Sequence, residues 1–260
     1  MKKAMLLGLA LGLLELCWGQ GANAQEPGLN VVVTPFVFND IANSNFTSIQ
    51  ALPIVFLFDD GVSAPDGFAN RHVWSISVDG VTPLAFGIDD SFDISFDLVL
   101  SGTLAAPRKE AGILLTTGSA GEGQFIVNTD AGEVVAFGGP LPFFAFHTSE
   151  DEAARVTFAS GDQISLRLRY VPPVRNESDM VVVPGMVEYY ANGVSSGALE
   201  MANTEQGIPG PFVVSGYLQV VNDPANPNNV GSALFDSISW NGMLLNAPVP
   251  STEGAGAKAP

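Results

Sequence analysis

The chain has 260 residues and a formal net charge of −17, with 10 lysine and arginine residues against 27 aspartate and glutamate residues. So acidic a chain repels nucleic acid and anionic membrane surfaces, and the charge excludes both as partners. The single cysteine, Cys17, lies in the N-terminal segment, so the body of the chain has no disulfide bonds.

Residues 1–24 have the pattern of a signal peptide. A basic start (Lys2, Lys3) precedes a short apolar run over residues 4–16 that is broken only by Glu15, and Ala22-Asn23-Ala24 supplies the small residues of a cleavage site. The run is too short to span a membrane, and no other long apolar segment follows. We therefore expect a bacterial secreted or periplasmic protein that is cleaved near Ala24. Cleavage removes two positive charges and one negative charge, so the net charge moves from −17 to −18.

The rest of the chain consists of short apolar runs separated by residues typical of turns. Strands are predicted at residues 30–38, 54–58, 72–78, 91–101, 112–117, 124–129, 133–137, 143–147, 156–160, 163–171, 186–191, 194–199, 212–221, 232–240 and 242–245, and residues 180–183 are a short apolar piece. Asn192-Gly193 is the strongest hairpin signal, and residues 149–155 and 199–205 could each form a single helical turn. This pattern predicts an all-β fold, a two-sheet antiparallel jelly-roll sandwich, in a single domain over residues 25–246. Residues 247–260, rich in Pro, Gly and Ala, are predicted to be a disordered tail.

The longest regular pattern is SFDISFDLVLS at residues 91–101. Apolar residues occupy every second position from Phe92 to Leu100, and Asp93, Ser95 and Asp97 lie between them. A period of two over eleven residues predicts a long strand with one face in the core and the other turned outward. The two aspartates are therefore candidates for chemistry on the outward face.

Three stretches together resemble the concanavalin A-like lectin/glucanase superfamily. They are SFDISFDLVLS followed by AGILLTTG, the strand-turn-strand VEYYANGVSSGAL, and ALFDSISW near the end of the chain. The similarity spans roughly residues 36–245 and lies in the arrangement of strands. It implies a jelly-roll sandwich that either binds glycans or acts on polysaccharides.

The glucanases of this superfamily carry Glu-x-Asp-x-Glu on one strand, and the comparable stretch here is Asp93-Ile94-Ser95-Phe96-Asp97. Strand residues four apart lie about 13 Å apart at Cα, whereas retaining hydrolysis needs carboxyl groups about 5–5.5 Å apart. Short aspartate side chains do not close that gap, so we expect no catalytic residues. If the protein is an enzyme, the resemblance implies Asp93, Asp97, Glu188 and Tyr190 as the residues that act.

The alginate-lyase branch of the superfamily uses an arginine-rich strand, a Gln-x-His motif and a strand that bears tyrosine. This chain has Arg167 and Arg169 on one strand and Glu188 and Tyr190 on another, but it lacks Gln-x-His. These four residues are the predicted ligand-binding set for an acidic sugar. In the alternative interpretation, the two arginines pair with carboxylates on neighbouring strands. His72 and His147 have no partner at metal-binding spacing and are predicted to be structural.

One structural calcium is the cofactor that the resemblance implies. Such sandwiches often hold calcium near the closing strand, where Asp236 lies. Asp40, Asp59 and Asp60 are the predicted further ligands, since calcium binds six to eight oxygen atoms.

Three functional hypotheses follow. The first is a secreted, non-enzymatic sandwich that binds a polysaccharide or other glycan, or that belongs to an extracellular matrix or surface layer. The second is a polysaccharide hydrolase or lyase that uses the outward carboxylates or the arginine and tyrosine residues. The third is a structural secreted domain without a ligand.

Overall fold

A computed structural model describes residues 28–41, 43–61, 67–201, 207–222, 225 and 229–245. The predicted signal peptide (residues 1–24), its cleavage site at Ala24 and the predicted tail (residues 247–260) lie outside these residues. Among the described residues no helix is long and apolar enough to cross a membrane.

The described residues form β-strands joined by short connections and two single-turn 3-10 helices. The strands are β1 (Asn30–Asn39), β2 (Phe46–Ala51), β3 (Ile54–Asp59), β4 (Ala69–Ser77), β5 (Ala85–Phe86), β6 (Phe92–Gly102), β7 (Lys109–Thr117), β8 (Gly121–Asn128), β9 (Val134–Phe137), β10 (Phe144–Ala145), β11 (Gln163–Val171), β12 (Val174–Arg175), β13 (Val181–Val183), β14 (Met186–Ala191), β15 (Val194–Ser195), β16 (Leu199–Glu200), β17 (Phe212–Val221), β18 (Gly231–Trp240) and β19 (Met243–Leu244). The 3-10 helices are Phe146–Thr148 and Glu152–Ala154.

Two antiparallel sheets make up the sandwich. The first sheet has the order β1-β4-β17-β7-β8-β9-β10, with β5 also paired to β17. The second sheet has the order β15-β14-β11-β6-β18-β3-β2, with β16 paired to β14 and β19 to β18. The chain crosses between the sheets several times, from β3 to β4, from β5 to β6, from β6 to β7 and from β17 to β18. The prediction of an all-β sandwich of two antiparallel sheets is confirmed.

Strand β6 lies in the middle of the second sheet, between β11 and β18. Its apolar positions face the first sheet and are buried, and its polar positions are half-buried on the other side. Trp74 of β4 fills the opposite side of the core, where its ring packs edge-on against Phe96 of β6 at a centroid distance of 5.8 Å. The period-two pattern thus places one face of β6 in the core, as predicted, and leaves the aspartates outward.

Several segments differ from the sequence-based expectation. Residues 46–51, for which no strand was predicted, form edge strand β2, whose mostly exposed side chains give no clear alternation. Residues 156–160, expected to be a strand, make isolated backbone bonds instead of a ladder, from Val156 N–H to Phe146 O, from Phe158 N–H to Gly132 O and from Asp162 N–H to Ala159 O. Residues 143–147 contain a two-residue strand followed by a 3-10 turn. Residues 156–160 resemble a strand in sequence because Val156 and Phe158, two residues apart, are both buried, although the segment forms no hydrogen-bonded ladder.

Candidate functional site

The predicted ligand-binding residues meet on the outward face of the second sheet. Strands β6, β11 and β14 are neighbours, so their outward side chains form one surface. Arg167 lies between Ser95 and Tyr190 in the strand register, and Arg169 lies between Asp93 and Glu188. Tyr189 points into the core, where it is fully buried, while Tyr190 points outward. The structure therefore brings together Asp93, Asp97, Arg167, Arg169, Glu188 and Tyr190 on one face.

Arg167 is held by two neighbours on this face. Its Nε and Nη2 donate to the two carboxylate oxygens of Asp93 at 2.7 and 2.5 Å, a bidentate ion pair. Its guanidinium carbon lies 4.9 Å from the centroid of the Tyr190 ring, in cation–π contact. The hydrogen bond that Arg167 donates to Asp93 raises the pKa of Arg167. Pairing with a neighbouring carboxylate, the alternative interpretation of the arginines, is thus the geometry found for Arg167.

Tyr190 and Glu188 form a second linked pair on β14. Ser195 of β15 donates its hydroxyl to Glu188 Oε1 at 2.6 Å, and this bond lowers the pKa of Glu188, as does a hydrogen bond with Tyr190. The same bond to Glu188 raises the pKa of the Tyr190 phenol. Arg169 makes no hydrogen bond or ion pair with the described residues, but its charge acts on both Glu188 and Tyr190.

Asp97 lies beyond Arg167 on the same face and has different neighbours. Ser165 of β11 donates its hydroxyl to Asp97 Oδ1. On the other side, Asp97 is directly opposite Asp236 of β18 in the register. Asp236 Oδ1 in turn accepts the backbone N–H of Ser237, where β18 bulges. Two carboxylates thus stand on neighbouring strands with their side chains on the same face.

A shallow cleft of about 300 Å³ opens at this place. The polar residues that line it are Ser95, Asp97, Ser165, Arg167, Tyr190 and Ser237. We call it the polar cleft.

One wall of the polar cleft is the Asn192-Gly193 turn between β14 and β15. Both turn residues have positive φ, 49° and 79°, as the predicted two-residue hairpin requires. Asn192 also fastens the turn to β11, because its N–H donates to Ser165 O and its Oδ1 accepts the N–H of Ser165, both at 2.9 Å. The turn therefore holds a fixed position beside the cleft.

The predicted calcium ligands do not converge. Gly231 of β18 pairs with Asp59, and Asp236 is five residues further along β18, which is about 17 Å on a strand. Asp40 accepts the N–H of Phe68, and Asp60 accepts two N–H groups of Asn45. Within the described ranges no group of three or more His, Cys, Asp or Glu side chains is arranged to hold a metal ion. Calcium binding stays a prediction.

Asp59 belongs to a buried hydrogen-bond cluster instead. Its Oδ2 accepts from His72 Nε2 at 2.7 Å, Asn70 Nδ2 at 3.0 Å and Ser44 Oγ at 3.4 Å, and its Oδ1 accepts from Gly61 N–H at 2.7 Å. Both Asp59 and His72 are fully buried. Burial raises the pKa of Asp59, but the hydrogen bonds, led by that of His72, outweigh it and the pKa is lowered.

The two histidines are remote from the polar cleft. His72 Nδ1 accepts the N–H of Phe36 at 3.1 Å, so the ring proton lies on Nε2 and is donated to Asp59. His147 lies on the first 3-10 helix and contacts Val134 O of β9 in the first sheet. Neither imidazole can reach a ligand in the cleft.

A second polar group, on the outward face of the first sheet, was not predicted from the sequence. Glu110 Oε1 of β7 accepts from Gln219 Nε2 at 2.9 Å and from the Tyr217 hydroxyl at 3.3 Å, both on β17. Arg71 of β4 donates to Gln219 Oε1 at 2.8 Å and lies over the Tyr217 ring. The alternation of Ser215, Tyr217 and Gln219 was the available signal, but it is obscured by apolar residues on both faces of β17.

This second group is closed to solvent. Glu110 exposes 5% of its surface, Gln219 5% and Tyr217 none. Burial raises the pKa of Glu110, against the attraction of Arg71 and Arg108. A polymer cannot reach these side chains as they stand, so the polar cleft is the better candidate site.

The polar cleft has the chemistry of a binding surface. It offers an aromatic ring, a half-exposed carboxylate and three hydroxyl groups on a sheet whose strands are fixed by packing beneath them. Sugar rings are bound by aromatic contact combined with hydrogen bonds to carboxylates and hydroxyls.

No protein-family model matches the chain, and no curated protein matches it. Among solved structures, alginate lyase vAL-1 from Chlorella virus is similar at 12% identity over 82% of this chain and 92% of its own, with a TM-score of 0.47. Alginate lyase A1-II′ of polysaccharide lyase family 7 is similar at 10% identity over 75% and 81%, with a TM-score of 0.45. The metal-free carbohydrate recognition domain of Emp46p is similar at 11% identity over 78% and 88%, with a TM-score of 0.40. At these values the similarity assigns no ligand and no activity to this chain.

Proposed function

We propose that the mature protein is an exported, non-enzymatic β-sandwich that binds a glycan in the polar cleft, as a free binding module or as part of an extracellular matrix or surface layer. The observation that carries the proposal is the cleft itself, with Tyr190 and Asp97 facing the same space of about 300 Å³. That volume lies at the lower end of the range for small-ligand sites, which suits one or two sugar units of a longer chain.

The position of the cleft supports binding. Its side chains project from the paired strands β6, β11 and β14, whose inward faces are fully buried. A site on packed strands keeps its geometry better than a site on loops, so little ordering cost arises when a ligand binds. Arg167 further fixes the Tyr190 ring through the contact described above.

The partners of the outward carboxylates support a non-enzymatic role. Asp93 is held in the bidentate pair with Arg167, and Asp97 accepts the hydroxyl of Ser165. The two aspartates are four residues apart on β6, about 13 Å at Cα, which is too far for a nucleophile and acid/base pair of a retaining hydrolase. No histidine is among the described residues that line the cleft.

Glycan binding is tested by screening the mature protein against a glycan array and by titrating each hit. We expect Tyr190→Ala to weaken binding about tenfold or more, since an aromatic contact is worth about 0.5–1.5 kcal/mol beyond the area that it buries. Phe143→Ala is the matched control, because Phe143 is 72% exposed and lies on the connection just before β10, an edge strand of the first sheet. Binding of no glycan, or binding that Tyr190→Ala leaves unchanged, would favour the structural domain without a ligand.

A polysaccharide hydrolase is the second candidate, on one observation. Asp97 and Asp236 are direct register partners, and Cβ atoms of such partners lie about 4.5–5.5 Å apart. That separation is near the spacing of carboxyl groups in retaining hydrolases. Their hydrogen bonds turn the carboxylates apart, however, Asp97 toward Ser165 and Asp236 toward Ser237. Release of reducing sugar from any polymer without an unsaturated product, lost in Asp236→Asn, would establish the hydrolase.

A further inference from the structure

The charge of the polar cleft is set by which groups are already paired. Arg167 is the only cation among the residues that line the cleft. Both oxygens of Asp93 accept its hydrogen bonds, at 2.7 and 2.5 Å, so its positive charge is matched by a fixed negative charge. Arg167 keeps N–H groups that can donate to a hydroxyl oxygen, but it does not present a net positive charge to a ligand.

Asp97 gives the cleft a negative charge. Only its Oδ1 has a donor, Ser165, and no described residue donates to Oδ2. No cation pairs with Asp97 or with Asp236 opposite it in the described part of the chain. Like charges directly opposite on a sheet repel each other. This local negative charge has the same sign as the net charge of the whole chain, −17.

The hydrogen-bonding groups fit a ligand that donates. A carboxylate oxygen accepts only, so Asp97 Oδ2 requires an O–H or N–H group from the ligand. The hydroxyls of Ser95 and Ser237 can donate or accept and can serve the remaining sugar hydroxyls. A carboxylate or sulfate on the ligand would instead bring a second negative charge next to Asp97, whose Oδ2 can only accept.

We infer that the polar cleft selects uncharged, hydroxyl-rich glycans and discriminates against acidic ones, with Asp97 as the hydroxyl acceptor that determines this specificity. The inference rests on the proposed function and narrows its ligand class. It differs from the acidic sugar expected from the arginines in the sequence, because Arg167 is neutralised by Asp93.

The test compares neutral and uronic-acid oligosaccharides of equal length by calorimetric titration of the mature protein at 0.02 and 0.15 M salt. We expect acidic oligomers to bind at least tenfold more weakly than neutral ones. This difference in affinity should grow at the lower salt concentration, because charge repulsion is less screened there. Asp97→Asn should weaken binding of the neutral oligomer about tenfold and narrow the difference in affinity between neutral and acidic oligomers. Asp236→Asn should narrow the difference in affinity between neutral and acidic oligomers by removing one negative charge. The neutral oligomer should keep its affinity, because Asp97 remains as the hydroxyl acceptor.

Glu150→Gln is the matched control, since Glu150 is exposed on a loop next to the first sheet and its replacement also removes one negative charge. It should change neither affinity nor selectivity. Thermal melts should show all three variants folded, because the side chains that they change lie outside the core. Tyr190-dependent binding of an acidic oligomer as tight as the neutral one would overturn the inference and leave the proposed function standing. If neither neutral nor acidic oligomers bind, both the inference and the proposed function are overturned.

Discussion

Replacing Asp59 with asparagine tests the buried cluster at the end of β3. The carboxylate accepts four hydrogen bonds, from His72, Asn70, Ser44 and Gly61, and it is fully buried together with His72. Asparagine keeps one acceptor oxygen but turns an NH₂ group toward at least one of these donors. A hydrogen bond to a buried charged group contributes about 1.5–3 kcal/mol. Because asparagine keeps one acceptor, we place Asp59→Asn at about 3 kcal/mol, the upper end of that range for one bond.

Denaturant and thermal unfolding measure this effect. For a domain of this size each kcal/mol shifts the melting temperature by about 2–4 °C, so the expected decrease is about 6–12 °C. The pKa of Asp59 is lowered in the fold, so its contribution is present above the unfolded value of 3.8 and is lost as the pH falls through the folded pKa. The difference between wild type and variant should therefore be constant near neutral pH and shrink in strong acid.

Asp60→Asn is the matched control, one residue away. Asp60 is only half-buried, and its bonds to Asn45 are exposed, so we expect a cost of about 1 kcal/mol or less. Equal destabilisation by the two variants, or an Asp59→Asn protein as stable as wild type, would refute the assignment of the cluster as a stabilising element. An Asp59→Asn effect that disappears in excess chelator would instead support the predicted calcium site.

Three further predictions address the rest of the sandwich. Gly216→Ala should cost about 1–3 kcal/mol in denaturant unfolding, because an added Cβ would lie 2.3 Å from the buried ring of Trp74. Burial raises the pKa of Glu110 above 4.5 in the folded state. The free energy of unfolding should therefore fall as the pH rises from 4.5 through the folded pKa, because ionisation is costlier in the fold. Glu110→Gln should flatten this part of the plot of stability against pH. A double-mutant cycle on Arg167 and Asp93 should give a coupling energy of about 1 kcal/mol or less, since both side chains are partly exposed; a coupling of several kcal/mol would contradict this.

Alternation along single strands was enough to predict the faces of the second sheet. Phe92 and Ile94 were placed inward and Asp93 outward on β6, and Tyr189 and Tyr190 were placed on opposite faces of β14, as the structure has them. A period of two fixes which residues of one strand share a face. It does not fix which strands are neighbours.

The contacts that the sequence could not predict depend on which strands pair with each other. Asp97 and Asp236 meet because β6 pairs with β18, and these strands are far apart in the chain. Glu110 and Tyr217 were missed because β7 and β17 are buried on both faces, and outward apolar residues such as Leu114 and Val213 interrupt the polar alternation.

The Asn192-Gly193 turn has a consequence for how such a protein can diversify. It borders the polar cleft, yet it stands free of the core, and a Cβ built on Gly193 meets no atom within 4 Å. Residues can therefore be inserted at this turn without a clash with the packing beneath β14, whereas replacing Gly193 itself would strain its positive φ of 79°. A lineage, or a library built in the laboratory, could change the ligand that the cleft accepts while the sandwich keeps its stability.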